Sequence, residues 1–361
     1  MLGGERGRAS WEEWFERVTA GDFRPDPGSK RLLPLVFRAL VTEDDAEIPG
    51  VDLLATRYRR SWMLHNRLVH AARPAFVALH EAGLDAMVIK GVSLAERVYG
   101  DRGVRWITDV DVVVREGEAV RALDVLLCHG WRSDDSTYSV EELFERNHAV
   151  ALVDGQGGSI DLHRRLLDLS RAGLDEQVWD RAVLTNLGDT PVYMAGLADE
   201  LLVALVHGWA WSRVPSIRWI PDVAAIAPQL GPDDWTVLID ESRRRQVSYR
   251  VWAALRAVQA GYDISLPTWV IDELANGPFA PFESAEARWH TRAHRRVPPG
   301  VFAYFNFVRR RGSPTNVAWW MEFARYYASL VGPPQGVSRS TWAIEKIRRR
   351  QGRGSSTLRG S

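Results

Sequence analysis

The N-terminal part of the chain carries apolar side chains at helical spacing. Within residues 11–18 two tryptophans, a phenylalanine and a valine recur at intervals that place them on one face of a helix. Similar spacing predicts a helix over 30–40 and a long or kinked helix over 51–80. Gly83 follows where helices commonly end, because glycine readily adopts the left-handed conformation. We therefore predict an N-terminal helical segment over residues 1–83.

Beyond that segment the helical spacing gives way to short apolar runs of strand length. Two of these runs, 149–153 and 159–163, flank the sequence DGQGG, which is typical of a hairpin turn. An amphipathic helix is predicted over 118–129. Interleaved strands and helices predict a mixed sheet with helices packed on it, in a core that spans 84–195. The other two strand candidates are 86–89 and 109–114.

Strand patterns disappear from Leu197 onward, and helical spacing continues almost to the end of the chain. We predict an all-α C-terminal domain over 196–350 and a disordered, Gly/Ser-rich tail over 351–361. The fold class predicted for the whole chain is α+β. The helix candidates are 197–211, 218–228, 232–244, 246–261, 267–276, 283–295, 300–311, 316–330 and 339–350.

The chain has no net charge, since 46 lysines and arginines balance 46 acidic residues. This balance argues against nucleic acid or a membrane as a general partner. Arginines nevertheless concentrate in the last quarter of the chain, where they form either solvated helix faces or a surface for an anionic partner. A nucleic-acid partner is therefore disfavoured but stays open. These arginines are Arg288, Arg292, Arg295, Arg296, Arg309, Arg310, Arg311, Arg348, Arg349 and Arg350.

Residue patterns also exclude several common kinds of site. Cys128 is the single cysteine, so neither an intramolecular disulfide nor a cysteine-based zinc site can form. The histidines lack the spacing of a zinc protease, the chain has no P-loop, and no nucleophile elbow surrounds Ser93. The N-terminus lacks a signal-peptide core, and the helix candidate 197–211 is too short and polar to span a bilayer. We therefore expect a cytoplasmic protein.

Three aspartates are the main candidates for chemistry. Asp109 and Asp111 are two residues apart on a predicted strand, so their side chains point to the same face. Asp161 lies on the predicted strand 159–163, which can bring a third carboxylate beside them. Mg²⁺ prefers such oxygen ligands, and metal ions held in this way can clamp the reacting oxygens of a phosphoryl or nucleotidyl transfer. Alone, the Asp-x-Asp pattern also fits two solvated acids at the end of a strand.

The turn at 90–93, between the first predicted strand and the next helix, is a candidate phosphate site. Its small residues let backbone N–H groups approach a phosphate, and a helix N-terminus attracts the anion. Lys90 adds a cation for a triphosphate. Arg105 can reach a phosphate or pair with Asp109. The predicted nucleotide-binding residues are Lys90, Gly91, Ser93 and Arg105.

Three further polar residues are candidates for the acceptor side or for supporting the metal ligands. His163 shares a predicted strand face with Asp161, where it can shuttle a proton or pair structurally with a carboxylate. His148 precedes the same predicted hairpin. Asp222 lies at the start of the predicted helix 218–228, where an acid either interacts with the helix dipole or reaches the site.

One set of segments carries a resemblance to a known family: Val88–Leu94, Tyr99, Arg105, Asp109–Val114, Gly130-Trp131 and Asp161-Leu162-His163. Together they resemble the uncharacterised nucleotidyltransferase family, which belongs to the DNA polymerase beta-like nucleotidyltransferase superfamily. The resemblance extends over roughly residues 10–230, through His207 and the sequence Arg218-Trp219-Ile220-Pro221-Asp222.

The resemblance implies an enzyme with a nucleotidyltransferase-type sheet core, and with Mg²⁺ or Mn²⁺ bound by Asp109, Asp111 and Asp161. In the superfamily pattern a pair of small residues binds phosphate, and by position Gly91 and Ser93 would be that pair. The chain departs from the pattern here, because a valine splits the pair, a lysine precedes it, and the gap to the aspartates is longer than in compact members.

The implied reaction moves a nucleoside monophosphate from an NTP, with ATP as the expected donor, to an acceptor and releases pyrophosphate. A small molecule, a peptide or a protein is the expected kind of acceptor, and a small molecule or peptide is favoured. Two alternatives stay open at the same site. One is transfer of the γ-phosphate or of a sugar phosphate. The other is a non-catalytic nucleotide-binding regulator of a biosynthetic cluster.

Overall fold

The computed structural model describes residues 4–41, 48–133, 143–144, 147–168, 171–209, 217–262, 264–291 and 299–331. The predicted N-terminal helices are present. Helix α4 (Val51–Glu81) is one long helix, and Gly83 follows it with a positive φ of 68°. Three shorter helices precede it: α1 (Gly4–Thr19), α2 (Pro27–Lys30) and α3 (Leu33–Leu40).

A seven-stranded mixed sheet forms the centre of the protein, in the order β3-β4-β5-β2-β1-β7-β6. Two pairs are parallel, β1 with β7 and β2 with β5, and the other four are antiparallel. The α+β prediction is therefore confirmed. The strands are β1 (Met87–Ile89), β2 (Val110–Val113), β3 (Arg132–Ser133), β4 (Ala149–Val153), β5 (Ser159–His163), β6 (Val183–Leu187) and β7 (Thr190–Met194).

The hairpin of β6 and β7 was missed by the sequence pattern. Pro191 lies inside β7, and proline normally argues against a strand because it cannot donate to the ladder. On the edge strand β6, Val183 and Leu184 are exposed, so no buried face produces an alternating pattern. The hairpin matters for the site because β7 pairs with β1 and leads directly into the C-terminal helices.

The two faces of the sheet pack against different helices. Val88, Val112 and Leu162 point to the face that α4 and α6 (Ala119–Cys128) cover. Met87 and Ile89 point to the opposite face, and pack in one cluster with the C-terminal helices. Since side chains alternate along a strand, the residues between the apolar ones of β2 and β5 face those C-terminal helices.

Helix α8 (Leu197–Gly208) is the central helix of the C-terminal region, since every residue from Ala198 to Val206 is buried. The predicted helices are present within a few residues of their expected bounds, except 339–350, which lies outside the described residues together with the tail. Helix α7 (Glu176–Arg181), which precedes α8 in the chain, was not predicted, and the helices after α8 are α9 (Trp219–Ile226), α10 (Pro232–Arg244), α11 (Ser248–Gly261), α12 (Thr268–Asn276), α13 (Pro281–Thr291), α14 (Pro299–Arg311) and α15 (Val317–Val331).

Buried ion pairs connect α8 to the core. Arg181 of α7 donates to Asp199 of α8 at 2.8 Å and to Glu241 of α10 at 3.0 Å. Arg245 then joins Glu241 at 2.9 Å to Asp175 at 2.7 Å. Breaking such a pair leaves an uncompensated buried charge, which is strongly destabilising. The network therefore holds the first turn of α8 in a defined position beside the sheet.

The C-terminal arginines that the structure describes are largely engaged within the chain. The solvated-face interpretation is wrong for Arg309, which is buried and donates to Glu286 at 2.6 Å. It is correct for Arg311, whose side chain is 65% exposed. An anionic partner stays a prediction for the arginines beyond the described residues, which are Arg292, Arg295, Arg296, Arg348, Arg349 and Arg350. In the part of the chain that the structure describes, no helix combines the length and apolar character needed to cross a membrane.

Candidate active site

The segment after β1 begins a helix without an intervening loop. The predicted turn at 90–93 is the first helical turn, α5 (Lys90–Ser93), and it continues into a π-helical turn, Leu94–Val98. Lys90 has a φ of 54°, a left-handed conformation that is uncommon for a residue with a side chain. Its backbone N–H donates to Oε2 of the buried Glu200 at 3.1 Å. A residue of the helical region therefore holds this unusual backbone in place.

The sheet register places two of the predicted aspartates side by side. Asp111 on β2 pairs directly with Asp161 on the parallel strand β5, so both carboxylates point to the same face. Asp109 precedes β2 and shares that face. In the described residues, ligand atoms of Asp111, Asp161 and His163 lie within 4.8 Å of one another. The face is the one covered by the C-terminal helices, so the acids lie between the sheet and α8.

Asp111 is held by two side chains. Its Oδ1 accepts hydrogen bonds from Lys90 Nζ at 2.7 Å and from His163 Nε2 at 3.0 Å. Burial alone would raise the pKa of Asp111, but the hydrogen bond from His163 and the charge of Lys90 hold it well below its usual range. Asp111 is therefore ionised at neutral pH and is available as an anionic ligand.

Asp109 and Asp161 behave differently from Asp111. Burial and the charge of Asp111 raise the pKa of Asp109. Burial, followed by the charges of Asp109 and Asp111, raises the pKa of Asp161 to about 6. Three converging carboxylates thus repel one another, and a divalent cation between them would relieve this repulsion. The donor set of carboxylate oxygens suits Mg²⁺ or Mn²⁺.

A cleft of about 340 Å³ opens over the acids. One wall is the face of the sheet that carries the acids, together with the loop that leads into β2, and the other wall is formed by α8 and α9. Seven of the predicted site residues line it: Lys90, Gly91, Arg105, Asp109, Asp111, Asp161 and Asp222. Three do not line it: Ser93 and His163, which are buried, and His148.

Gly91 has a packing reason to be glycine. A Cβ added at this position would lie 2.7 Å from Ile107 Cγ2 and 3.1 Å from Arg105 Nη1. The loop before β2 therefore lies directly on the backbone of the first turn of α5. Phosphate binding by Gly91 and Ser93 stays a prediction, and close packing against Ile107 accounts for the glycine without it.

Arg105 pairs with Asp222 and not with Asp109. Its Nε and Nη2 donate to the two oxygens of Asp222 at 3.0 and 2.9 Å, and Tyr99 Oη donates to the same carboxylate at 2.9 Å. Burial opposes the charge of Arg105, but Asp222 more than offsets it and raises the pKa of Arg105. Asp222 lies in the first turn of α9, where the helix dipole favours an acid, and it also makes this contact between core and helical region.

The two predicted histidines lie behind the acids. His163 pairs with Asp111, as the structural interpretation expected, and burial lowers its pKa. The ring of His148 packs at a tilt against the ring of His163, with 5.2 Å between the centroids. Its Nδ1 lies 3.5 Å from Asp168 Oδ1. Burial lowers the pKa of His148 to about 4. Both rings are therefore neutral at physiological pH, and His163 orients Asp111 by donating to it.

Sequence reasoning missed several residues that line the cleft. Glu200 and Val203 come from α8, Arg218 and Trp219 from the start of α9, and Arg31 from the C-terminal end of α2. Arg218 and Trp219 had a signal, since they fall in a motif of the family resemblance. Glu200 and Arg31 had none, because the contacts that bring them to the acids join distant parts of the chain.

A mixed sheet that brings three carboxylates into a cation-lined cleft is the arrangement expected of a metal-dependent phosphoryl or nucleotidyl transferase. Residues 29–263 match the model of a family described as uncharacterised nucleotidyltransferase. This match takes in more than half of the chain, and the protein belongs to that family. It is accordingly an enzyme of the nucleotidyltransferase class, as the motifs predicted.

Two solved structures resemble the chain distantly. The antibiotic-resistance factor ANT(2'')-Ia, solved in solution, is 15% identical, and the match covers 64% of this chain and 100% of that one, with a TM-score of 0.32. An antigenic nucleotidyltransferase-like protein from Paracoccidioides brasiliensis is 13% identical over 58% of this chain and 96% of that one, with a TM-score of 0.31. At these TM-scores neither likeness bears on the activity. No curated protein matches the sequence significantly.

Proposed function

We propose that the protein transfers a nucleoside monophosphate from an NTP, with ATP as the expected donor, to a small molecule or peptide and releases pyrophosphate. The observation that carries this proposal is the direct pairing of Asp111 with Asp161 on parallel strands, with Asp109 on the same face. Family membership supports the class of reaction. We further propose that the helical regions 1–83 and 196–350 act as separate domains around the core 84–195 and select the acceptor.

The ligands of the proposed metal site are Asp109, Asp111 and Asp161. When bound there, Mg²⁺ or Mn²⁺ would neutralise the triphosphate and the leaving pyrophosphate. Asp161 can also act as the general base, because its pKa of about 6 suits a group that takes a proton from the acceptor hydroxyl. We assign Asp161 as ligand or base, and Asp111 as a ligand only, since His163 and Lys90 keep it ionised.

Lys90 supplies the cation nearest to the acids. Its Nζ lies 2.7 Å from Asp111 Oδ1, and both residues line the cleft. In the nucleotide complex this flexible ammonium would turn from Asp111 to a phosphate oxygen, since a lysine acts as a mobile point charge. Arg105 cannot turn to a phosphate oxygen without breaking its ion pair with Asp222. Its proposed task is therefore to position the cleft wall.

Labelled ATP tests the proposal. The protein is incubated with α-³²P or γ-³²P ATP, Mg²⁺ and a pool of small molecules and peptides from cell extract. We expect the α label to enter an acceptor and the γ label to leave as pyrophosphate. D109N/D111N should abolish the transfer, and D124N, which changes an exposed aspartate of α6, should not. Transfer of the γ label would replace the proposal with phosphotransfer, and equal transfer by D109N/D111N would contradict it.

A further inference from the structure

Helix α8 presents one stripe of side chains to the cleft. Glu200, Val203, Ala204, His207 and Gly208 all line it, at the spacing of residues that share one face of a helix. Glu200 and Val203 are buried, whereas His207 is exposed. The acids come from the sheet, so the imidazole of His207 and the carboxylates belong to facing walls of the same cleft.

The backbone that carries His207 is firmly supported. The helix is buried from Ala198 to Val206, the residue immediately before the histidine. A Cβ added at Gly208 would overlap the ring of Trp219, so the start of α9 packs directly on the residue that follows. A side chain on such a support needs little reorganisation to meet a substrate.

The carboxylates that line the cleft already have a partner or a proposed task. His207 differs from them, because no residue that the structure describes hydrogen-bonds to its ring. Its neutral imidazole therefore offers a lone pair to a molecule in the cleft. The carboxylates in question are the proposed metal ligands Asp109, Asp111 and Asp161, together with Glu200, which accepts from the Lys90 N–H, and Asp222, which holds Arg105.

We propose that His207 is the general base that takes the proton from the acceptor hydroxyl. In this step the acceptor oxygen bonds to the α-phosphorus, and the bond from that phosphorus to the pyrophosphate oxygen breaks. The hydroxyl proton moves to a ring nitrogen of His207, which releases it to solvent after the product leaves. Of the two roles proposed for Asp161, that of metal ligand remains. The assignment rests on the proposed function, since it needs an acceptor hydroxyl at the α-phosphate.

The charges around the ring suit this role. Burial between the walls of the cleft, followed by the charge of Lys90, lowers the pKa of His207 to about 4, so the imidazole is neutral at physiological pH. A bound triphosphate would offset the charge of Lys90 and raise the affinity of the ring for a proton, so the base becomes stronger once the nucleotide is in place. The charged and titratable groups that act on the ring are Lys90 of α5, Asp111 of β2, His163 of β5, His148 before β4 and Arg218 before α9.

Chemical rescue of full-length variants tests the assignment. The assay with α-³²P ATP, Mg²⁺ and the pool from cell extract compares the wild type with H207A, H207N and H80A, which changes an exposed histidine at the end of α4 outside the cleft. We expect H207A and H207N to transfer the label about a hundredfold more slowly or worse, as loss of a general base does, and H80A to match the wild type. Added imidazoles should restore part of the rate of H207A, and the more basic ones should restore more.

The outcomes separate this assignment from the proposed function. A wild-type rate in H207A would overturn it, and so would a wild-type rate in H207N, because asparagine can hydrogen-bond but is not a base. Slow transfer by H207A that no imidazole restores would make His207 a positioning residue and would equally overturn it. Transfer of the γ label with the same rescue would replace the proposed function and leave His207 as the base. A wild type that transfers neither label would overturn both.

Discussion

The backbone N–H of Lys90 donates to the carboxylate of Glu200 at 3.1 Å, so a buried acid of α8 holds the residue that follows β1. Lys90 is in the left-handed conformation, which costs energy for a residue with a side chain and persists where its surroundings enforce it. The same residue reaches Asp111 with its side chain. Glu200 thereby links the helical region to the geometry of the acids.

Removal of the Glu200 carboxylate should therefore impair both stability and transfer. E200A leaves the Lys90 N–H unsatisfied, which should cost about 1–3 kcal/mol of unfolding free energy. E200Q keeps an oxygen acceptor and should recover much of both properties. Urea unfolding and the rate of α-label transfer measure the two effects. Wild-type values for E200A would show that the contact positions nothing.

The three aspartates should contribute separately to metal affinity. Because each carboxylate adds charge and an oxygen ligand, D109N, D111N and D161N should each weaken Mn²⁺ binding by about tenfold or more. Mn²⁺ binding can be followed by its paramagnetic effect on water relaxation. D124N provides the matched control on the far face of α6. If D161N bound Mn²⁺ as tightly as the wild type, Asp161 would be restricted to the role of a base.

The contributions of Asp161 and Glu200 to the stability of the metal-free protein should fall as pH rises from about 4 to about 7, while His148 and His207, whose pKa values burial lowers to about 4, contribute in the opposite direction. Burial with the charges of Asp109 and Asp111 raises the pKa of Asp161 to about 6, and burial raises that of Glu200 to about 7. In this range the folded protein keeps protons on Asp161 and Glu200 that the unfolded chain has released, so these two groups favour unfolding as the pH rises. Thermal melts across this range measure the slope.

The same melts with Mn²⁺ present provide the control for this pH effect. A cation favours the ionised form of Asp161, so the ion should stabilise the protein more as the pH rises through about 6. In metal-free buffer the stability of D161N relative to the wild type should rise as the pH rises, and D161N should respond less to Mn²⁺. Identical slopes for wild type and D161N would mean that Asp161 does not hold its proton in the folded state.

The pair of Arg105 and Asp222 should behave as one unit. Both side chains are largely buried, so either R105A or D222A leaves an uncompensated charge and should cost about 3–5 kcal/mol of unfolding free energy. The double variant should lose much less than the sum of the single losses. Urea unfolding of the full cycle measures the coupling, and additive losses would show that the bidentate contact is absent in solution.

The sequence predicted the parts of the site that depend on local pattern. The DGQGG turn indicated the pairing of β4 with β5, and this placed Asp161 on a strand whose partner then proved to be β2. The period-two spacing of Asp109 and Asp111 indicated their common face. The position of Gly83 after α4 was likewise readable, because the left-handed conformation favours glycine.

Features that depend on distant contacts were not readable from one sequence. Glu200 follows an ordinary helix start, and only the packing of α8 on the sheet brings it to Lys90. Arg105 is four residues from Asp109 along the chain, yet it pairs with Asp222, which is supplied by another region. Since an arginine can reach several carboxylates, its partner is decided by tertiary packing and not by spacing.

The segment that connects β7 to α8 is only two residues long. Only Ala195 and Gly196 separate Met194, the last residue of the strand, from the start of the helix. A single residue inserted here would lengthen this connection and disturb the alignment that brings Glu200 to Lys90. We expect a one-residue insertion here to abolish transfer, and the same insertion at the exposed Ser265 to be tolerated. The β6–β7 hairpin, which the local sequence pattern did not predict, thus determines how the C-terminal helices are oriented against the acids.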